Sequence, residues 1–227
     1  MFGILLYGIL GCGDNVVPEV SAVPALVETG WEEIEKQHYT GDASELEVAY
    51  NLCDEEIISI ESAEKMIELT TLTEAETIYT IYDRIDSIAT LFETCSDPWG
   101  MFPTTYRHIT NRIIQAIERG EIEDQEWGRH IVVDFASRYM ENLQLALFGD
   151  RPSYAWNQYY YLADHPDVSS TRAVVVAMVA LLTLDLPYSL VAINTTEDHK
   201  DDYFVLGELM IEITPDFIED LKTYYDT

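Results

Sequence analysis

The chain has 227 residues, with 42 Asp+Glu against 12 Lys+Arg and a formal charge of −30. At 48% hydrophobic and 11% aromatic it carries enough apolar material for a packed core, which excludes an acidic disordered tail. The charge also excludes nucleic acid and anionic membrane surfaces as partners, because both are bound through concentrated positive charge. Only 4 of the 12 bases are Lys. Surplus carboxylate with scarce Lys fits either adaptation to high salt, where self-repulsion is screened, or an ordinary acidic protein.

Met1 to Gly11 is uncharged and almost wholly apolar. It is too short to span a bilayer, which takes about 20 residues, and it has the length of the apolar part of an export signal. Ile9-Leu10-Gly11-Cys12 resembles the lipobox of bacterial lipoproteins, which implies acylation of Cys12; the departure is that no Lys or Arg precedes the apolar run. Residues 13–30 read as a tether, and 31–227 as one helical domain. With Cys12 acylated, Cys53 and Cys95 remain, either as a disulfide of an exported protein or as two buried thiols. Neither lies in a Cys-x-x-Cys or Cys/His cluster, so no zinc site is expected. Residues 28–76 hold 15 acids and two bases, Lys36 and Lys65.

From there the pattern is helical. Thr73-x-x-Glu76 is a capping box opening a helix with Ile78, Ile81, Tyr82, Ile85, Ile88, Ala89 and Phe92 on one face. Asp97-Pro98-Trp99-Gly100 breaks it. The next helix is expected over about 104–119, with Gly120 as its C-terminal cap. Asp124 starts another, in which Ile131, Phe135, Tyr139, Leu143 and Leu147 recur every four residues, and Gly149 ends it. Pro152-Ser153 leads into an aromatic helix with Tyr154, Trp156, Tyr159, Tyr160 and Tyr161. Ser169 or Ser170 caps the next. Its stretch Ala173 to Leu182 is apolar on every side, which places it at the centre of a bundle, and Pro187 should kink or end it. Thr195-x-x-Asp198 opens a helix to about Ile213, and Thr214-Pro215 opens the last. The expected fold is an all-α bundle of seven to nine helices packed around residues 173–190.

Over residues 97–213 the chain carries an ordered set of motifs. They are Trp99-Gly100-Met101-Phe102-Pro103-Thr104-Thr105-Tyr106-Arg107-His108-Ile109-Thr110, then Phe135-Ala136-Ser137-Arg138-Tyr139, then Ala155-Trp156, then Asp185-Leu186-Pro187, then Asp202-Tyr203-Phe204-Val205. This order resembles a bacterial family of helical domains of unknown function. The family pattern N-A-H-I-N-x-D-L-P is replaced here by Val179-Ala180-Leu181-Leu182-Thr183-Leu184-Asp185-Leu186-Pro187. A His four residues before the Asp could share a proton or a metal with it, whereas Leu181 can do neither. The resemblance therefore implies a fold but no reaction.

No nucleophile elbow, phosphate loop, His-Glu-x-x-His or EF-hand pattern occurs, and no metal or cofactor is expected. Residues 97–151 contain six of the twelve bases. Two helices there carry Tyr106, Arg107, His108 and Arg112, and Arg129, His130, Asp134, Arg138 and Tyr139. One reading is a cleft where Tyr106, Arg112, Arg138, Tyr139 and Trp156 take a small polar or anionic ligand. The bland reading is that these bases balance nearby carboxylates and fix helix register, with Arg138 and Asp134 as i, i+4 partners on one helix. Asp185 needs a partner if buried, and Arg138 or Arg172 could supply it.

Two functions follow. The first is a lipid-anchored binding protein of the cell envelope without catalysis, with an envelope protein or small ligand as partner. The alternative is a hydrolase- or transferase-like enzyme using His108, Asp134, Arg138, Asp185 and Tyr203; without export the address would be cytoplasmic. If His108, Arg138 and Asp185 share one cavity the enzyme reading gains, and if they lie apart it fails.

Overall fold

In the computed structural model, which describes residues 60–225, helix α1 spans Ile60–Thr70 and α2 spans Ile78–Glu93. The signal segment, the tether, Cys12 and Cys53 lie outside the described residues. Glu76 does reach back to the Thr73 backbone N–H at 3.2 Å, as the capping box requires. The helix nevertheless starts four residues later, because Thr77 is extended and exchanges caps with Thr80. Glu76 instead holds Arg84, whose Nη1 also donates to the last carbonyls of α1 at Glu68 and Leu69. Ile78, Ile81, Ile85, Ile88, Ala89 and Phe92 are buried as the spacing requires, and Tyr82 is half-buried.

Asp97 caps a short 3-10 turn at Pro98–Gly100, accepting from the Trp99 N–H at 3.0 Å. The turn runs directly into α3, Met101–Arg119, so this helix begins before residue 104. Gly100 is required there: a Cβ would collide with Phe92 and Tyr225. Gly120 ends α3 with a left-handed φ of 70°. Asp124 caps α4, Gln125–Leu147, through the Trp127 N–H at 2.9 Å. Ile131, Phe135, Tyr139, Leu143 and Leu147 are all buried. Helix α5, Tyr154–Ala163, buries Trp156, Tyr159 and Tyr160 and leaves Tyr154 and Tyr161 exposed.

Helix α6 spans Ser170–Ala192, with Ser169 as its cap. It is α-helical over Ser170–Ala180, π-helical over Leu181–Asp185 and α-helical again over Leu186–Ala192. Pro187 therefore neither ends it nor breaks it; the wider turn just before absorbs the missing N–H. The continuous helix is long and apolar enough to cross a membrane by length and composition, longer than the apolar run alone suggested. One side of it nonetheless packs on α3, α4 and α5, while Leu184, Tyr188 and Val191 are exposed. Thr196, not Thr195, caps the 3-10 turn Glu197–His199 that leads into α7, Lys200–Glu212. Helix α8, Thr214–Tyr224, has Pro215 in its first turn; the Thr214 hydroxyl bonds back to the Met210 carbonyl rather than capping.

The result is an all-α bundle with no strand among the described residues. Helix α3 lies against α2, α4, α6, α7 and α8, and shares the centre with α6. The core between α3, α4 and α5 is aromatic: Phe102 packs edge-on against Tyr139, Trp156 and Tyr159.

Candidate functional site

The polar residues of α3 split by helical phase. Tyr106 turns into the core, whereas Arg107 and His108 turn toward α2 and α8. Arg107 donates to Glu93 at 2.9 Å, to Asp220 at 3.2 Å and to Asp86 at 3.3 Å. Burial works against its charge, but Glu93, Asp86 and Asp220 outweigh this and hold the guanidinium more firmly protonated. His108 Nε2 lies 2.7 Å from the same Asp220 carboxylate. Thr104 adds a hydroxyl to Glu93 and meets the Tyr225 hydroxyl.

Arg112 is one turn further on α3. It donates to Glu121 at 2.8 Å and to Glu212 at 3.0 Å, and the hydrogen bond it gives Glu121 leads in raising its pKa. Tyr203 is half-buried on α7 beside Phe204, and burial raises its phenol. Thus His108, Arg112 and Tyr203 each make separate local contacts.

A different group gathers where α4, α5 and α6 meet. Asp185, the last residue of the π turn, is 6% exposed. Its Oδ2 accepts the Trp156 indole N–H at 2.8 Å. Neither Arg138 nor Arg172 is its direct partner, contrary to the sequence expectation. Arg172 is exposed, and Arg138 Nε donates to Asp134 Oδ2 at 2.9 Å and to Ser189 Oγ at 3.0 Å. Burial pushes the Asp185 carboxyl up to about 6, with Glu141 and Asp134 in the same direction. The indole hydrogen bond and the nearby charge of Arg138 only moderate the rise. Burial raises the Tyr106 phenol, and the charges of Asp185 and Asp134 act in the same direction. Burial and then Asp185 raise Tyr160 as well. The hydroxyls of Tyr139 and Tyr160 are buried without a hydrogen-bond partner.

Six of the residues singled out from the sequence therefore come together: Tyr106, Asp134, Arg138, Tyr139, Trp156 and Asp185. Ser189, Tyr188 and Glu141 belong with them and went unnoticed. Ser189 lies one turn after Asp185 on the same helix face, so the spacing alone carried that signal.

An open pocket of about 590 Å³ lies elsewhere, lined by Glu123, Asp124, Asp198, His199, Asp201 and Asp202. Asp202 is committed to the backbone N–H groups of Glu123 and Asp124, at 2.7 and 2.8 Å, fastening the α3–α4 loop to α7. His199 is stacked on Trp127 and 3.4 Å from Asp124. Among the described residues no group of three or more His, Cys, Asp or Glu could hold a metal ion. Cys95 is disulfide-bonded, and the other half of that bond lies outside the described residues.

Neither the curated proteins nor the solved structures contain a match to this chain. The model of one family does match, and it reaches beyond both ends of the 97–213 motif region. Over residues 78–227 the chain belongs to the family of unknown function DUF5995.

Proposed function

We propose that the protein is a helical binding module of the bacterial cell envelope, anchored through an acyl group on Cys12, and not a catalyst. One observation carries the reading. Arg107, His108, Arg112 and Arg138 are each engaged by a carboxylate of this same chain, and in more than one place. A catalytic or anion-binding cleft would instead converge such groups on an open space. Exposed apolar side chains at Leu184, Tyr188 and Val191 supply contact surface of the kind a protein partner uses. The disulfide at Cys95, for which Cys53 is the proposed partner, fits an oxidising compartment.

The hydrolase- or transferase-like alternative draws on one fact, the raised carboxyl of Asp185 at a π turn, because shifted acids and π turns collect at working sites. Its other members, His108 and Tyr203, make their contacts elsewhere.

Membrane fractionation with mass spectrometry tests the anchor. Wild-type protein should sediment with membranes and begin at an acylated Cys12, and Cys12→Ser should release it. An intact N-terminus with unmodified Cys12 in a soluble fraction would overturn the reading. The acidic coat supports a salt-adapted surface, for which Tm should climb from low to molar salt; a flat response removes that part.

A further inference from the structure

Arg138 is paired with one carboxylate, Asp134, and lies within electrostatic reach of a second, Asp185. It is fixed to Asp134 and Ser189, and its guanidinium lies over the Tyr188 ring, 5.7 Å from the centroid. Ser189 is one turn beyond Asp185 on α6, so the guanidinium is held beside the buried carboxylate rather than on it. Asp185 meanwhile has the Trp156 indole as its hydrogen-bond donor.

We propose that Arg138 is a two-position latch, which moves from Asp134 to Asp185 when Asp185 ionises and so repacks the joint between α4, α5 and α6. The charged and titratable groups facing Asp185 are Asp134, Arg138 and Glu141 from α4, Tyr160 from α5 and Tyr106 from α3. Arg138 is the one cation among them. While Asp185 is protonated, its oxygen accepts the indole N–H, no charge needs a partner, and Arg138 remains with Asp134. Loss of the proton to solvent leaves a charge in an aromatic cage, where an unpaired charge is too costly to persist. Arg138 is near, long and always charged, and its fork can leave Asp134 for the inner carboxylate. Asp134 is the easier of the two to abandon, since it is more exposed than Asp185 and water replaces the lost bond.

Two features of the surroundings suit a moving part. The unpartnered Tyr160 hydroxyl, on which Asp185 acts electrostatically, is a donor in reserve for the ionised carboxylate. The π turn ending at Asp185 is a weak point in the helical ladder. Moving Arg138 would also uncover Tyr188 and free Ser189, which couples the proton to the exposed end of α6. Burial sets the working point near pH 6.

The test is a set of ¹H–¹⁵N spectra of the full chain between pH 4.5 and 8, with side-chain signals assigned through Trp156→Phe and Arg138→Gln. The Trp156 Nε1–H and Arg138 Nε–H signals should move together with one midpoint near 6. Asp185→Asn should abolish both movements, and Arg138→Gln should raise the Trp156 midpoint by half a unit or more. An Arg138 signal that stays still while Trp156 titrates would overturn the latch. So would either titration persisting in Asp185→Asn, or an unchanged midpoint in Arg138→Gln. The wild-type pair and Arg138→Gln decide the matter even if Asp185→Asn does not fold.

Discussion

The α2–α3–α8 surface and the α4–α5–α6 joint treat charge in opposite ways. On the first, Arg107 faces Glu93, Asp86 and Asp220 together, and each carboxylate keeps access to a cation or to water. In the second, Asp185 is buried among aromatic rings with an indole as donor and its cation one step away. Placing a charge next to opposite charges holds it in its ionised form, whereas placing it in an apolar cage pushes it toward neutrality. The described residues therefore hold both a set of charges that fixes helix positions and a buried carboxyl, Asp185, that can respond to pH.

The largest effect should come from the joint. Trp156→Ala removes a fully buried indole and should cost about 4 kcal/mol in denaturant unfolding. A loss under about 1 kcal/mol would show that the joint is not packed as described. Arg107→Ala comes next, at about 3 kcal/mol, because it strands Glu93, whose side chain is 8% exposed. Adding Glu93→Leu to Arg107→Met should recover most of that loss, since no buried charge is then left unpaired. If the double variant is as weak as the single, Arg107 and Glu93 act through something other than charge.

Asp185→Asn separates the two regions by sign. The native carboxyl ionises near 6, above its ordinary 3.8, so the folded state holds this proton more tightly than the unfolded chain. Its favourable effect is complete below pH 4 and is lost as pH rises through 6. Asn keeps an acceptor for Trp156 and never ionises. Relative to wild type, the variant should gain about 2–3 kcal/mol at pH 8 and almost nothing at pH 4, read from urea midpoints at both. An equal effect at both pH values would deny Asp185 its burial penalty. The smallest change is expected for Arg112→Ala, under about 1 kcal/mol and weaker in salt, because its partner Glu212 is 61% exposed.

The comparison also explains what was legible before the fold. Helix faces were readable because apolar spacing at three and four residues encodes burial directly, as at Ile78 to Phe92 and Ile131 to Leu147. Caps that rest on one residue, at Asp124 and Gly120, were readable too. Caps with two candidates were not: Thr77 wins over Thr73, and Thr196 over Thr195, because backbone dihedrals and nearby partners decide between equivalent hydroxyls. The π turn before Pro187 was hidden, since it answers to packing around α6 rather than to local preference. Arg138, Asp134 and Asp185 were recognisable as candidates. The Arg138–Asp134 pair was legible too, from its i, i+4 spacing. That Asp185 takes the Trp156 indole rather than a cation was not, because that depends on separate helices arriving together.

Site-resolved carboxyl titration by ¹³C NMR tests the contrast between the regions most directly. Asp185 should titrate near 6, while Glu76, held by hydrogen bonds from Thr80 and Arg84 despite its burial, should titrate below its ordinary 4.5. Asp185 titrating near 4, in the ordinary carboxylate range, with Glu76 no lower, would contradict the account.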